Sequence, residues 1–317
     1  MSLQGSKLKL ALRFNSIILL IALSPVYAQE LEPRAYTNLP VGLNFIVAGY
    51  AYAAGGVLFD PSIPLENANI NIHGSFLAYA RSIKIGGMSG KVDMVLPYAW
   101  LSGTADFQGE AVSRKVSGFG DPRLRFTVNF LGAPAVSMSE FKDYKQKLIV
   151  GASLQVYLPL SQYDPDRLVN IGTNRFTIKP EIGVSRKFGH LILEITGGAS
   201  FYTVNHDFYQ GKTRSQESIS YLQGHVVYSF RGGIWAALDG TYYWGGRTTL
   251  DGVERIDLQQ NSRLGFTFTL PLNLHHSLKL HFSTGTSTRT GSDFDSIGFA
   301  WQYRWVGKRK ILKNEAH

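Results

Sequence analysis

The sequence contains no cysteine, which excludes disulfide bonds and thiolate chemistry. Its apolar stretch Phe45–Phe59 is broken by Gly49, Gly55 and Gly56 and is shorter than the ~20 residues that a membrane helix needs. No G-x-S-x-G, H-E-x-x-H or Walker-type glycine loop occurs in the chain. These absences argue against a helical membrane protein, the common hydrolases and nucleotide-binding proteins.

The chain instead has twelve stretches in which polar and apolar residues alternate with period two. Successive side chains of a strand point to opposite faces, so each stretch predicts a strand with one apolar and one polar face. The clearest apolar face carries Leu148, Val150, Ala152, Leu154, Val156 and Leu158. Such a face needs a second sheet or helices in a soluble protein, but it needs only lipid in a transmembrane barrel.

The twelve predicted strands cover residues 43–53, 69–84, 90–101, 119–131, 146–158, 176–188, 190–203, 219–230, 233–243, 262–270, 277–287 and 296–305. Tight turns mostly follow the even-numbered strands, and longer polar segments follow the odd-numbered ones, as in outer-membrane barrels. The exception is residues 132–145, where we expect a short helix. We predict an all-β, transmembrane, antiparallel up-and-down barrel rather than a soluble β-sandwich, which does not restrict long loops to one end.

The N-terminus predicts secretion. Basic residues at positions 7, 9 and 13 precede an apolar core at Ser16–Leu23, and Ala28 ends a small-residue cleavage site. Removing residues 1–28 takes away three basic and no acidic residues, so the net charge falls from +9 to +6. Export argues against a nucleic-acid partner. The predicted regions are a signal peptide at 1–28, an N-terminal periplasmic segment or plug at 29–42, the barrel at 43–305 and a basic periplasmic tail at 306–317.

If the polar face of each strand points inward, the sequence predicts a lumen with more basic than acidic residues. The basic members are Arg81, Lys91, Arg123, Arg125, Lys147, Lys179, Arg263, Lys279 and Arg304, and the acidic members are Asp93, Glu181, Glu194 and Asp239. Rings of Arg or Lys select anions, so one interpretation is an anion-preferring path. The alternative is a packed interior of ion pairs, because confined charges need partners. On either interpretation Glu181, Glu194 and Asp239 could gather on one wall, opposite Arg123 and Arg125.

Aromatic residues are expected both inside and outside the barrel. The last strand carries Phe299, Trp301, Tyr303 and Trp305 on one parity, which is typical of interfacial girdles. The predicted lumen includes Ile46, Tyr50, Tyr52, Tyr79, Tyr157, Trp235 and Tyr243. A mixed aromatic and polar lining suits an amphipathic organic solute, although the same rings could simply fill volume.

The candidate residues of a solute path are Arg123, Arg125, Lys179, Glu181, Glu194, Asp239, Tyr157 and Tyr243, with Arg175 at the pore mouth. A barrel lipid hydrolase or protease is an alternative, in which His206 and Asp207 would act with Asp293 and Asp295 of another loop. His275–His276 is a weak metal motif because no carboxylate accompanies it. We expect no catalytic residue, no metal and no cofactor.

Several motifs border the predicted strands, namely Glu32–Tyr36 with Pro40–Phe45, Gly118–Pro122 with Gly132–Ala135, Asn170–Phe176 with Lys179–Gly183, and Tyr242–Gly246. In this combination the chain resembles an outer-membrane family labelled for the meta-pathway of phenol degradation. The resemblance runs across nearly the whole mature chain. It implies a bacterial outer-membrane barrel, proposed to help aromatic or other hydrophobic compounds enter, and it carries over no substrate residues.

The expected function is therefore passive uptake of small aromatic or amphipathic compounds through a barrel surrounded by outer-membrane lipid. The alternative expectation is a non-transporting surface barrel, whose loops bind a partner or which stabilises the envelope.

Overall fold

The structure is a computed structural model that describes residues 32–58, 65–107, 110–167 and 169–307. The predicted signal peptide, residues 29–31 and residues 308–317 of the predicted tail lie outside the described residues. Within these ranges, no helix is long and apolar enough to cross a bilayer. The helical elements described are two 3₁₀ turns, Glu140–Lys142 and Arg231–Gly233, and the first lies in the connection where we predicted a short helix.

The described residues form seventeen strands, which we number in chain order. They are β1 (Leu43–Leu58), β2 (Leu65–Ile85), β3 (Met88–Phe107), β4 (Glu110–Phe119), β5 (Arg123–Pro134), β6 (Leu148–Tyr157), β7 (Thr177–Phe188), β8 (Leu191–Tyr202), β9 (Asn205–Phe208), β10 (Lys212–Gln216), β11 (Ile219–Ser229), β12 (Trp235–Gly245), β13 (Thr248–Leu250), β14 (Val253–Glu254), β15 (Gln259–Pro271), β16 (His276–Ser287) and β17 (Gly291–Val306).

Twelve of these strands close into one antiparallel barrel. The ring runs in chain order through β1, β2, β3, β5, β6, β7, β8, β11, β12, β15, β16 and β17. Its seam joins β17 to β1 over their whole length, from Leu43 opposite Val306 to Leu58 opposite Gly291. The predicted twelve-stranded transmembrane barrel is therefore confirmed.

The two ends of the barrel differ in their connections. At one end, β2–β3, β7–β8, β11–β12 and β15–β16 are joined by two to five residues, with residues 135–147 as the long exception between β5 and β6. We call this the turn end and the opposite one the loop end. Three predicted loops at the loop end were too long, because β1 continues there paired with β2 and with β17, and β3 continues paired with β4.

Two strands, β4 and β5, share the position next to β3 in the barrel wall. β5 pairs with the half of β3 near the turn end, and β4 pairs with the half near the loop end. Between them lies Pro122, which has no N–H to donate to a ladder. The neighbouring Asp121 accepts hydrogen bonds from Ser161 Oγ (2.5 Å) and Thr173 Oγ1 (2.7 Å). The single strand predicted at 119–131 is wrong at its start, because this break anchors the connection that follows β6.

A second, four-stranded sheet of β9, β10, β13 and β14 comes from connections at the loop end. These strands have only two to five residues and fall in segments that we predicted as loops, since alternation over so few residues is not readable. Their reversals use Gly211 (φ 74°) and Gly252 (φ 82°), where glycine tolerates a left-handed backbone.

The exposure of the wall residues is the reverse of that in a soluble sheet. On β12, Leu238 is 64% exposed, whereas the next residue, Asp239, is 2% exposed. Elsewhere on the wall, Ile182 and Phe299 are exposed, and Gln155 is fully buried. An apolar outer face and a polar interior are what a barrel in a bilayer requires.

Aromatic rings gather on the outer face near both ends. At the turn end, Trp301, Tyr303 and Trp305 of β17 stack in a row, with ring centroids 6.4 and 5.5 Å apart. At the loop end, Tyr242 and Trp244 of β12 stack at 5.7 Å. These positions fit the two interfacial girdles of outer-membrane barrels.

Leu238→Arg tests which face meets lipid. The charge would lie on the outer face between the two aromatic girdles, so we expect the unfolding free energy of the refolded barrel in lipid vesicles to fall by about 2–4 kcal/mol. Val253→Arg is the matched control, because Val253 is similarly exposed, at 60%, but lies on the loop-end sheet. Equal losses in urea titrations of the two variants would contradict a lipid-facing Leu238.

Candidate functional site

Residues 32–42, which we call the N-terminal segment, run inside the barrel from its turn end. Asn38, which is fully buried, donates from Nδ2 to the Pro134 carbonyl at 3.2 Å. Ser82 of β2 donates from Oγ to the Pro40 carbonyl at 2.5 Å. The segment is thus attached to the wall at the turn end before it reaches further into the lumen.

Tyr36 of this segment lies against two wall glycines. Gly151 on β6 and Gly183 on β7 are opposite each other in register. A Cβ atom added at either glycine would come closer than 3.0 Å to the Tyr36 ring. The Tyr36 hydroxyl lies 3.4 Å from Ser153 Oγ. We call this space the glycine slot, since a larger residue at either position would exclude the ring.

Gly183→Ala should expel Tyr36 and loosen the N-terminal segment. Because the chain has no cysteine, an added Ala35→Cys reports this by maleimide labelling, and we expect its rate to rise by about tenfold or more. Gly197→Ala on β8 is the matched control, since the nearest atom to its added Cβ lies at an ordinary 3.7 Å. A rate unchanged by Gly183→Ala would contradict a slot that holds the segment.

Arg34 contacts a different part of the wall. Its backbone N–H donates to the Glu194 carboxylate, which also accepts a hydrogen bond from Ser185 Oγ at 2.8 Å. Its guanidinium carbon lies 5.6 Å from the ring centroid of Trp235. Arg34 has a φ of 68°, which a non-glycine residue seldom adopts without surrounding contacts that hold it. These contacts fix the course of the segment across the lumen.

Glu32 meets a pair of buried arginines. Arg125 Nη1 donates to Glu32 Oε2, and Arg123 Nη1 lies 3.9 Å from Glu32 Oε1. Behind them, Asp93 of β3 accepts from Arg125 Nε at 2.8 Å and from Arg123 Nη2 at 3.1 Å. Lys91 Nζ lies 3.9 Å from the same aspartate. We call these five residues the arginine site, in which three cations face two carboxylates.

A second cluster surrounds Glu181 of β7. Its carboxylate accepts hydrogen bonds from Ser153 Oγ at 2.7 Å, from Gln155 and from Tyr221, and it lies 3.5 Å from Lys179 Nζ. The Lys179 ammonium also lies 4.4 Å from the Tyr221 ring centroid. Gln155 accepts from Arg123 Nη1 at 3.3 Å, so it connects this cluster to the arginine site.

A third cluster is centred on Asp239 of β12. His225 Nδ1 lies 2.7 Å from one carboxylate oxygen, and Thr267 Oγ1 donates to the other at 2.8 Å. Thr267 Oγ1 is also 3.3 Å from His281 Nδ1. Together the three clusters line the described lumen with paired polar groups. Two predicted path residues lie beside them: Tyr157 donates to Gln155 at 3.5 Å, and Tyr243 is 6.0 Å from Tyr221.

Arg175, the predicted pore-mouth residue, lies at the loop end just before β7 and is 7% exposed. Its Nη2 donates to Gln216 of β10 at 2.5 Å, and its guanidinium carbon lies 4.3 Å from the Tyr202 ring centroid. These contacts join it to the loop-end sheet.

The three predicted acidic residues lie on one wall but do not pair with the arginines. Glu194 on β8 and Asp239 on β12 are both in register with His225 on β11, and Glu181 lies on the neighbouring β7. Arg123 and Arg125 instead face Asp93 and Glu32. The predicted partners of the arginines were wrong because only wall residues were placed in the lumen. The N-terminal segment brings Glu32 and Arg34 into it and changes which charges meet.

Four predicted lumen residues face outward instead. Ile46 is opposite Tyr79 across β1 and β2, with exposures of 37% and 39%. Tyr50 lies 6.0 Å from the outward-facing Phe299, and Tyr52 has the same parity as Tyr50. On β1 and β2 the tyrosines point outward, because the inward-facing residues are apolar and pack with Leu39 of the N-terminal segment. For the basic residues, Arg81 and Lys147 are exposed rather than enclosed.

The sequence reading missed several residues of this site, above all Glu32, Tyr36 and Gln155. A signal was present in residues 32–36, since Glu32, Arg34 and Tyr36 alternate as strand-like side chains on one face. The motif lies in the segment predicted as a plug, but its contacts with the wall were not predicted. Nothing local in the sequence pairs it with Gly151 and Gly183, which are more than a hundred residues away.

Glu32 precedes the first strand, and its environment sets the response of the segment to acid. Burial raises the pKa of the Glu32 carboxyl, whereas the positive charges of Arg125, Arg123 and Lys91 lower it. The combined effect of these charges is the larger, so the pKa lies below the ordinary 4.5. The pKa of this carboxyl is lower when the N-terminal segment lies in the lumen, so the charged carboxylate holds the segment in place at pH values above the ordinary pKa. This stabilisation is lost as the pH falls through the lowered pKa.

Single-channel conductance should therefore stay constant at pH values above the ordinary pKa of 4.5 and rise only at pH values below it. Glu32→Gln, which has no proton to gain, should not show this acid-dependent rise. An increase in the wild-type protein near pH 6 would contradict the role assigned to Glu32.

The residues considered for an enzyme are separated. His206 and Asp207 lie on β9 of the loop-end sheet, whereas Asp293 and Asp295 lie on β17 and contact Thr288 at 3.2 Å and Thr284 at 2.6 Å. In the part of the chain that the structure describes, no group of three or more His, Asp or Glu side chains could hold a metal ion.

Known proteins resemble this chain in fold over most of its length. An outer-membrane channel from Pseudomonas putida F1 is 18% identical, with a TM-score of 0.73, covering 86% of this chain and 99% of that one. The transport unit of the autotransporter AIDA-I from Escherichia coli is 8% identical, with a TM-score of 0.50, covering 95% and 98%. None of the curated proteins matches. A family model described as "Putative MetA-pathway of phenol degradation" matches residues 54–303, and the chain belongs to this family.

Proposed function

We propose that this protein is an outer-membrane channel for passive uptake of small aromatic or amphipathic compounds. One observation carries the proposal: the lumen is crossed by residues 32–42, which belong to the chain but not to the wall. A wall segment cannot leave without breaking the barrel, whereas this segment is held by side-chain contacts and a few hydrogen bonds. It is suited to a closure that opens, with the turn end facing the periplasm.

The lining supports the solute class. Buried aromatic residues Trp235, Tyr221 and Tyr243 lie among the charged clusters and next to the segment. Apolar rings with a few convergent polar groups are typical of sites for small organic molecules. A passive path selects by width, lining chemistry and electrostatics and needs no cofactor. The family and the fold shared with the P. putida F1 outer-membrane channel support the same conclusion.

The test is single-channel recording on refolded residues 29–317, first in salts of large anions and of large cations, and then with phenol and benzoate added. We expect openings that favour anions or that the aromatic compounds block. Heat-unfolded protein prepared in the same way is the control. A folded barrel that neither conducts nor binds the aromatic compounds would overturn the proposal.

A non-transporting surface barrel is the second candidate, and the paired charges in the described lumen favour it. Its loop-end sheet would then bind a partner. A lumen that stays closed after deletion of residues 29–40 would support this candidate. A barrel enzyme would require cleavage of a lipid or a peptide that is lost in His206→Ala.

A further inference from the structure

The arginine site has two carboxylates with different origins. Asp93 is a wall residue directly opposite Arg125 in register, and its side chain is completely buried. It binds Arg123 and Arg125 from behind and fixes both guanidiniums. Glu32 contacts the same two arginines, but it belongs to the N-terminal segment. One carboxylate is therefore permanent, and the other belongs to an element that is not part of the wall.

The contacts of Glu32 are incomplete. Its Oε1 atom and the Nη2 atom of Arg125 are both buried, and neither has a hydrogen-bond partner among the described residues. A guanidinium favours a carboxylate that takes two parallel hydrogen bonds, and Glu32 takes one from Arg125. A free carboxylate of better geometry has an unused donor available at this position.

The charges at the site select what could replace Glu32. Lys91, Arg123 and Arg125 carry three positive charges, against one each on Asp93 and Glu32. Withdrawal of Glu32 raises the net charge of the site from +1 to +2. Buried charges without partners are strongly unfavourable, so a neutral molecule is a poor substitute. The replacement must itself be an anion that accepts hydrogen bonds.

The second contact of the segment supplies a ring. Tyr36 is four residues after Glu32 and fills the glycine slot formed by Gly151 and Gly183. Its hydroxyl lies beside Ser153, which donates to Glu181 of the neighbouring cluster. The segment thus presents one carboxylate and one aromatic ring to two wall features on neighbouring strands, a pair of arginines on β5 and a flat slot between β6 and β7.

We propose that the wall contains a binding site for an aromatic monocarboxylate, and that Glu32 and Tyr36 occupy it until such a solute displaces them. Arg123 and Arg125 bind the carboxylate, Asp93 orients the two guanidiniums, and the glycine slot takes the ring. The inference rests on the proposed function, because it names the solute class that this channel admits and couples binding to release of the N-terminal segment.

The test measures binding of benzoate, acetate and phenol to refolded residues 29–317 in detergent micelles by calorimetry. An internal occupant weakens binding in proportion to its occupancy, so Glu32→Gln should tighten benzoate binding by about tenfold or more. The affinity for phenol, which has no carboxylate, should not increase. Asp143→Asn, at an exposed position in the connection between β5 and β6, is the matched control and should leave all three affinities unchanged.

Two double variants locate the site. Arg125→Gln added to Glu32→Gln should remove the gain for benzoate and acetate alike. Gly183→Ala added to Glu32→Gln leaves the arginines intact but fills the glycine slot. The affinity for benzoate should therefore no longer exceed the affinity for acetate. This second variant keeps the test informative if Arg125→Gln does not fold. Equal benzoate affinity in wild type and Glu32→Gln, or an equal gain for phenol, would overturn the inference.

Failure of this inference is distinguishable from failure of the proposed function. Entry of phenol into proteoliposomes together with benzoate binding that is indifferent to Glu32 and Arg125 leaves the channel standing and removes the carboxylate site. Proteoliposomes that admit neither compound, even with residues 29–40 deleted, remove the channel, whereas the calorimetry still decides whether the site exists.

Discussion

Deletion of residues 29–40 is expected to raise single-channel conductance several-fold. The deletion removes Glu32, Arg34 and Tyr36 from the lumen, together with the hydrogen bonds of Asn38 and Pro40 to the wall at the turn end. No strand of the barrel is lost, because β1 begins at Leu43. The conducting path should therefore widen, while the barrel still folds.

Ion selectivity provides a second readout of the same deletion. Without Glu32, the arginine site keeps three cations and only Asp93 as their counter-charge, so the open lumen should favour anions more than the wild type does. Glu32→Gln alone should shift selectivity in the same direction with a smaller rise in conductance, because Tyr36 and Asn38 remain attached. Unchanged conductance in the deletion variant would show that the N-terminal segment does not close the path.

The strands were predictable because alternation is a local signal repeated along each strand. β6, β7 and β8 match their predicted ranges within two residues, and the outward parity of β6 and β17 follows from the sequence alone. The signal fails where both faces are apolar. In β1 the inward Phe45 and Val47 pack with Leu39, so the polar tyrosines of that strand point outward instead.

The site was less predictable than the wall because its contacts join distant residues. Arg123 and Arg125 were recognised as lumen residues from their parity on one strand, and their wall partner Asp93 was placed inside in the same way. The other partner, Glu32, lies outside every strand, and no periodicity marks where a non-strand segment will lie. Wall parity therefore predicts which side chains face the lumen, and only the three-dimensional path of residues 32–42 decides how they pair.

Asp93→Asn should destabilise the barrel by about 3–5 kcal/mol, because it removes one partner from a buried ionic cluster. The Asp93 side chain is completely buried and lies 2.8 Å from Arg125, 3.1 Å from Arg123 and 3.9 Å from Lys91. Asparagine keeps nearly the same shape, so the loss reports the charge rather than a cavity. Urea unfolding of the refolded protein measures it, and Asp207→Asn on exposed β9 should change stability by less than about 0.5 kcal/mol.

A double-mutant cycle separates this effect from general damage to the wall. If Asp93 stabilises the barrel chiefly by compensating the arginines, then removing one of those cations should recover part of the loss. Asp93→Asn combined with Arg125→Gln should cost less than the sum of the two single changes, by at least about 1 kcal/mol. Strict additivity would show that Asp93 and Arg125 act independently, despite the 2.8 Å between them. Coupling would establish that the permanent half of the arginine site is ordered by charge, which is what a site with an exchangeable carboxylate on its other side requires.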